Sequence, residues 1–256
     1  MTRSEILRTA PPMFSSPVLN WLTRTHPVVP LVLYGPVILA LVACGMQQVS
    51  VLIAIALMAA GYLTWTLTEY WVHRAVFHFQ PRGPRSESVV WAIHGVHHDH
   101  PNDPRRVVAS PVVSAPIGAV AAALLWLLLP GALWLPFAAG WGGGYLVYDL
   151  LHAYLHVGRP RTALVRWLRA RHLRHHFADA RGHFGVSAPY WDYVFGTSLS
   201  AQRGRCCGGG GGPDSDRDTT PTPPQATAIE GAGPTYSQST QKLTGQGEAG
   251  LESGWE

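Results

Sequence analysis

Histidine is the residue type whose placement in this sequence indicates chemistry. The 256-residue chain has 13 histidines, and ten of them fall into four short motifs. Neutral imidazole is the commonest metal ligand in proteins and suits zinc, iron, copper and nickel. Ten imidazoles are too many for one ion and reasonable for two. We therefore predict a two-metal site whose ligands are His73, His78, His94, His97, His98, His152, His156, His172, His175 and His176.

The spacing within each motif predicts how the imidazoles are presented. Residues at i, i+3 and i+4 of a helix share one face, so the two His-x2-His-His motifs, 94–98 and 172–176, should each present three imidazoles in one direction. The His-x3-His motif at 152–156 should do the same with two. His73 and His78 are five residues apart, about 140° on a regular helix. That segment is expected either to be distorted or to serve two different ions.

Three further histidines and two nearby acids are not predicted to bind the metal ions directly. His26 is expected to be an interfacial residue, and His100 and His183 stand apart from the motifs, so all three are left out of the metal site. Asp149 and Glu69 lie about one helical turn before predicted ligands and could accept an N–H from an imidazole. A helix cap or an ion pair with an arginine is the equal alternative for each acid.

Two long uncharged stretches must position these motifs. No Asp, Glu, Lys or Arg occurs in residues 25–68 or 107–148, whereas charged residues make up 13% of the chain. A helix needs about 20 apolar residues to cross a bilayer core, so each stretch can hold two crossings. Breaks are expected at 44–48 and at Pro130-Gly131. The sequence thus predicts four transmembrane helices in two hairpins.

The arginines predict the orientation of these helices. Basic residues occur in the N-terminal segment, in the connection 81–109 and after residue 157, but in neither short turn. The positive-inside rule places the termini and all four histidine motifs in the cytoplasm. We therefore expect an all-α, multi-pass membrane protein in which a cytosolic helical cap holds the dimetal site.

Composition divides the chain and excludes some functions. We expect a cytosolic segment at 1–27, a membrane-embedded domain at 28–200 and a disordered, low-complexity tail at 201–256, where glycine and polar residues dominate. The net charge is +4, but the basic residues do not alternate with aromatic residues. Nucleic acid is therefore not an expected partner. Cys206-Cys207 could be acylated, and no disulfide framework is indicated.

Two other uses of clustered histidines were considered. Bis-histidine haem ligation needs two or four histidines rather than ten. A metal transporter usually binds its ion near the bilayer midplane, whereas these motifs fall at helix ends and in connections. Transport remains the non-enzymatic alternative, and it predicts metal flux into liposomes without oxygen consumption.

Further residues around the histidines resemble the fatty acid hydroxylase superfamily, and most closely the fatty acid 2-hydroxylases. The similarity covers about residues 60–200. It is carried by Glu69-Tyr70-x2-His73-Arg74-x3-His78, His94-Gly95-x-His97-His98, Tyr148-Asp149-x2-His152-x3-His156, His172-x2-His175-His176-Phe177, Phe184-Gly185-Val186-Ser187 and Trp191-Asp192-Tyr193-Val194-Phe195-Gly196-Thr197.

The resemblance implies a four-helix membrane domain with a cytosolic cap, two iron ions held by the ten histidines, and O2-dependent hydroxylation at C2 of a long acyl chain. Zinc, which has no redox chemistry, would be a substitute for iron. Only about 27 residues precede the first apolar span, so a separate electron donor is expected, either cytochrome b5-like or a ferredoxin with its reductase. Free, thioester-bound and amide-linked acyl substrates all stay open. The enzymatic alternatives are a sterol desaturase or methyl oxidase, or another alkyl-lipid monooxygenase on the same scaffold.

Overall fold

The computed structural model describes residues 2–199, and the regular elements in that range are all helices. The predicted tail at 201–256 and the Cys206-Cys207 pair lie outside the described residues. The helices in chain order are α1 Arg3–Arg8, α2 Pro17–Leu22, α3 Val28–Gln48, α4 Val51–Trp71, α5 Pro84–Val90, α6 Val96–Asp99, α7 Pro111–Leu128, α8 Trp134–Val157, α9 Ala163–Phe177 and α10 Tyr190–Val194. Two π-helical turns, Val72–Phe77 and Trp91–Gly95, follow α4 and α5.

Three of the long helical segments are long and apolar enough to cross a membrane: α3, α7, and α4 together with its π-helical turn. Helix α8 has 24 residues, but its glycines, aromatic residues, histidines and Asp149 make it less apolar. A fourth crossing by α8 therefore stays a prediction. The first break lies later than expected, because α3 continues through Gln48 and Ser50 caps the start of α4.

Helices α4 and α8 pack against each other at glycines that leave no room for a side chain. A Cβ atom on Gly140 would lie 2.0 Å from the carbonyl oxygen of Met58, and one on Gly61 would lie 2.1 Å from that of Phe137. Small residues allow such close backbone contact between helices in membranes. Beyond this contact the buried core comprises Trp65, Tyr148, Leu155, Leu168 and Val186. This contact therefore holds together α4 and α8, the two apolar helices that lead into histidine motifs.

The segment before α3 is bound to the loop between α6 and α7. Asp103 is buried and accepts hydrogen bonds from the backbone N–H of Ala10 at 3.0 Å and from Nη2 of Arg24 at 2.9 Å. The backbone N–H of Thr25 donates to the carbonyl oxygen of Arg105 at 3.0 Å. These contacts attach the N-terminal segment to the loop that directly follows the 94–98 motif.

Candidate metal centre

The ten histidines of the four motifs form two clusters of five. In each cluster every histidine offers one ring nitrogen, and the five nitrogens lie within 4.8 Å of one another. The first cluster consists of His73, His78, His94, His98 and His175. The second cluster consists of His97, His152, His156, His172 and His176. The structure thus brings together every histidine that the sequence singled out as a metal ligand.

Each His-x2-His-His motif is divided between the two clusters. The i and i+4 histidines of a motif join one cluster, and the i+3 histidine joins the other, so His97 and His175 are the exchanged residues. On a regular helix, position i+4 lies about 40° to one side of position i, and i+3 lies about 60° to the other side. The three imidazoles of a motif share a face, as expected, but that face serves two sites. The prediction that each motif presents its three imidazoles in one direction is corrected here, because the i+3 imidazole belongs to a different cluster from the other two.

The segment that holds His73 and His78 is distorted. The backbone N–H of His78 donates to the carbonyl oxygen of His73 at 3.2 Å, the i to i+5 bond that defines a π-helical turn. The two ring centroids are 5.1 Å apart, and both residues belong to the first cluster. Of the two alternatives that the five-residue spacing left open, distortion is therefore the one present.

The distances between ring nitrogens fit metal coordination. Two nitrogens bound about 2.1 Å from one ion are about 3.0 Å apart in an octahedral arrangement and about 3.4 Å apart in a tetrahedral one. The separation of Nε2 atoms is 2.7 Å for His156 and His172, 3.0 Å for His78 and His175, and 3.1 Å for His97 and His152. Hydrogen bonding explains these contacts less well, because a neutral imidazole nitrogen either donates or accepts and five converge in each cluster. The donor set therefore fits two ions, each with more than four ligands.

Two backbone carbonyls determine which ring nitrogen faces the first cluster in His73 and His175. Nδ1 of His73 lies 2.7 Å from the carbonyl oxygen of Phe184, and Nδ1 of His175 lies 2.7 Å from that of Gly182. A carbonyl oxygen only accepts, so Nδ1 carries the proton and Nε2 presents its lone pair. Nε2 of His73 is buried and has no hydrogen-bond partner among the described residues. Such a lone pair suits a cation.

Several cluster histidines lie outside the apolar helices, and burial keeps their rings neutral. It lowers the pKa of His78 to about 3, with a further contribution from the charge of His175, and it lowers the pKa of His175 to about 4. Burial and neighbouring imidazoles lower the pKa values of His94, His97, His98, His172 and His176 as well. At neutral pH these rings are therefore in the form that binds metal.

The family model for fatty acid hydroxylases matches residues 58–197, the range that contains all ten cluster histidines. The chain belongs to the fatty acid hydroxylase family. The resemblance drawn from the histidine motifs and from the segments around them is thereby confirmed.

Several relatives in this hydroxylase family are 2-hydroxylases by name. The chain is 35% identical over 193 residues to a dihydroceramide fatty acyl 2-hydroxylase of Arabidopsis thaliana, covering 73% of this chain and 79% of that protein. It is 37% identical over 148 residues to the fatty acid 2-hydroxylase of Rattus norvegicus, covering 57% of this chain and only 40% of that longer protein. A solved structure of full-length scs7p, with only its hydroxylase domain visible, superimposes with a TM-score of 0.68 at 33% identity, covering 72% of this chain and 70% of that one.

The two acids near the histidine clusters do not contact imidazoles directly. Glu69 accepts the backbone N–H groups of Val186 at 2.7 Å and Ser187 at 2.8 Å. Asp149 accepts the backbone N–H of Ala109 at 3.2 Å. Among the described residues no imidazole N–H reaches either carboxylate, so the direct contact considered from the sequence is absent. Both side chains instead fix the backbone of segments that lie beside the clusters.

The three histidines left out of the site lie outside both clusters. The ring of His26 accepts the backbone N–H of Val28, and His100 contacts the carbonyl oxygen of Ile6. His183 is buried in a left-handed backbone conformation, with φ of 61°, and neither of its ring nitrogens has a partner among the described residues. Their positions agree with their omission.

Sequence reasoning missed the backbone contacts that orient the first cluster. The carbonyls of Gly182 and Phe184 leave no side-chain pattern, because any residue supplies a carbonyl. Phe184 was noted only as part of the family resemblance. The available signal was a run that matches the family pattern although it carries no histidine of the four motifs, and its role became visible only through the fold.

Proposed function

We propose that this chain is a membrane-embedded, O2-dependent di-iron monooxygenase that hydroxylates C2 of a fatty acyl chain in sphingolipid-type metabolism. The observation that carries this proposal is the pair of adjacent five-histidine clusters. The names of the relatives from Arabidopsis thaliana and Rattus norvegicus support both the acyl substrate and the C2 position.

The donor set supports iron as the resident metal. Two iron ions, held by the ten cluster histidines, would supply the redox chemistry that activates O2 toward an unactivated C–H bond. Zinc lacks that chemistry and is usually tetrahedral, whereas each cluster offers five nitrogens, one more than a tetrahedral ion binds. Zinc found in a purified preparation would be a substitute.

Aromatic side chains shield the clusters from water. The ring of Phe184 contacts three rings of the first cluster, with centroids 5.7 Å from His73, 5.6 Å from His78 and 5.7 Å from His175. On the second cluster the ring of Tyr148 stacks on His152 at 5.7 Å. An apolar wall around a metal site controls solvent access. These residues would protect a reactive site while an apolar chain occupies it.

The placement of the clusters supports a substrate that enters from the bilayer. His73 and His78 follow directly on the apolar part of α4, and His152 and His156 lie in the last turns of α8. A lipid tail could reach both clusters laterally, without leaving an apolar environment. We propose that α8 is the fourth crossing, that the helices pair as two hairpins, and that the clusters face the cytoplasm, as the arginine distribution predicts.

Hydroxylation by this route consumes O2 and two external electrons, because the second oxygen atom leaves as water. A cytochrome b5-like protein, or a ferredoxin with its reductase, would meet the cytoplasmic side. Its reducing equivalents, two protons and O2 would complete the stoichiometry.

Lipid analysis of cells that express the chain tests this proposal. The wild type should accumulate 2-hydroxy acyl lipids and bind about two irons when purified anaerobically, whereas His175→Ala should form no 2-hydroxy product and bind less iron. His26→Ala is the matched control, because that histidine lies outside both clusters. A new ring double bond or an oxidised sterol methyl group would support the alternative enzymes instead. Metal flux into liposomes without oxygen consumption would support a transporter.

A further inference from the structure

The loop at residues 182–187 is held on its outer side by an acid from α10. Asp192 accepts the backbone N–H of Phe184 at Oδ1, at 2.9 Å, and that of Gly185 at Oδ2, at 3.1 Å. The preceding N–H, that of His183, donates to the carbonyl oxygen of Thr197 at 3.1 Å. Three successive N–H groups of the loop thus end on α10 and the residues just after it.

A second acid, from α4, holds the rest of the same loop. Glu69 is buried and its Oε1 accepts the N–H groups of Val186 and Ser187, while the hydroxyl of Ser187 donates to its other oxygen. All five backbone N–H groups from His183 to Ser187 therefore have an acceptor. The position of the loop is overdetermined, since each donor has a fixed acceptor.

The other side of the loop faces the first cluster. Its carbonyls at Gly182 and Phe184 accept the Nδ1–H groups of His175 and His73, both at 2.7 Å. Each contact fixes the tautomer and the rotation of a ring whose Nε2 points into the cluster. The loop therefore connects two buried acids to two imidazoles through its backbone.

Asp192 is itself held rigidly. It is completely buried, pairs with Nη2 of Arg171 at 3.3 Å, and accepts the hydroxyl of Thr197 at 2.8 Å. Next to it on α10, the Nε1–H of Trp191 donates to Thr66 of α4 at 3.2 Å. The acid is consequently fixed between the helix that carries His175 and the helix that leads to His73.

The second cluster lacks this support. The Nδ1 atoms of four of its histidines are buried and have no partner among residues 2–199, namely those of His97, His156, His172 and His176. Among the described residues, the 182–187 loop makes no hydrogen bond to any of these four Nδ1 atoms. Support by backbone carbonyls is therefore specific to the first cluster within the described part of the chain.

We propose that Asp192 is a positioning residue for the first cluster, holding the 182–187 loop so that its carbonyls orient His73 and His175 toward a metal ion. This inference rests on the proposed metal centre. Outer contacts of this kind typically change metal affinity by about 10- to 100-fold. Asp192 thereby makes the first cluster the tighter of the two sites.

The substitution Asp192→Asn tests this role in the full-length protein. The amide keeps the size of the side chain but replaces one acceptor oxygen with a donor, so Phe184 or Gly185 loses its partner. The full chain in lipid nanodiscs is loaded anaerobically with 57Fe²⁺ and challenged with a chromogenic Fe²⁺ chelator. In the wild type we expect two release phases. In Asp192→Asn the slower phase should become about 10- to 100-fold faster, with the faster phase unchanged.

Control variants assign the phases and separate positioning from folding. His78→Ala, which removes a ligand of the first cluster, identifies the phase that belongs to that cluster. Asp103→Asn is the matched control, because Asp103 is also buried, accepts backbone N–H groups and pairs with an arginine, yet none of its partners belongs to the 182–187 loop or to either cluster. Its release should match the wild type. If Asp192→Asn does not fold, Thr197→Val removes one hydrogen bond to Asp192 and should shift the same phase less.

The outcomes distinguish this inference from the function it rests on. A wild type that never binds two irons would contradict the proposed metal centre itself. If the wild type binds two irons but Asp192→Asn leaves both phases unchanged, or accelerates both equally, the positioning role is wrong. Mössbauer spectra provide a second readout: one of two iron signals should change in Asp192→Asn and neither in Asp103→Asn.

Discussion

The rings of His98 and His176 stack with their centroids 4.2 Å apart and their planes at 27°. His98 belongs to the first cluster and His176 to the second. The two clusters therefore share a wall made of their own histidines, and each of the two His-x2-His-His motifs contributes to both clusters. Such an arrangement suits two ions that act on one substrate.

The exchange of His97 and His175 between the motifs gives a specific prediction. His97→Ala should weaken metal binding at the second cluster, although its motif neighbours His94 and His98 belong to the first. His175→Ala should weaken the first cluster in the same way. Mössbauer spectra of the 57Fe-loaded variants measure this, since each should lose a different iron signal. Loss of the same signal in both variants would contradict the exchange.

The low pKa values of the cluster histidines predict little proton release on metal binding. An unfolded histidine titrates near 6.5, whereas burial lowers the pKa of His78 to about 3 and that of His175 to about 4 in the folded chain. At pH 6 these folded rings are already neutral, so Fe²⁺ displaces few protons from them. Calorimetry in buffers of different ionisation enthalpy measures the protons released. Release of several protons per ion at pH 6 would mean that the clusters are charged before they bind.

Much of the site could be predicted from the sequence, because metal-ligand spacing is local. Every histidine of the His-x2-His-His motifs at 94–98 and 172–176 lies in one of the two clusters, as their spacing predicted. Their division between two clusters was not predictable from spacing, because a shared helical face does not say how many ions it meets. For His73 and His78 the spacing allowed either a distorted helix or ligation of two different ions. The backbone hydrogen bond from His78 to His73 shows that the helix is distorted.

The fold was predictable to a similar extent. The two long uncharged stretches located α3, α4 and α7, because a helix that crosses a bilayer needs about 20 largely uncharged residues. The end of α3 was misplaced, because Gly45 lies inside the helix and packs against Pro136 instead of ending it. Carbonyl contacts such as that of Phe184 depend on tertiary structure and have no sequence pattern.

The close contact of α4 and α8 predicts that Gly140 tolerates no side chain. Gly140→Ala would place Cβ 2.0 Å from the carbonyl oxygen of Met58, and overpacking of this kind costs about 1–3 kcal/mol. Gly143→Ala is the control on the same helix, because a Cβ there meets nothing within 4 Å. Thermal unfolding in detergent compares the two. Equal melting temperatures would show that the α4–α8 contact is looser than described.

The position of Phe184 predicts a role in coupling oxygen consumption to product. Phe184→Ala removes the ring that contacts three histidines of the first cluster, so water should enter. We expect metal binding to persist while the ratio of hydroxylated product to O2 consumed falls several-fold, with a smaller effect in Phe184→Leu. Parallel oxygen-electrode and mass-spectrometric assays measure this ratio. An unchanged ratio in Phe184→Ala would exclude a shielding role.

The most direct test of the central claim is the origin and position of the oxygen atom in the product. The purified, iron-loaded chain in nanodiscs is supplied with 18O2, a reductase system and a long-chain acyl lipid, and the product is fragmented by mass spectrometry. We predict one 18O atom on C2 of the acyl chain in the wild type and in His26→Ala, and none in His175→Ala. Oxygen from water, oxygen on another carbon, or equal product from His175→Ala would contradict the account.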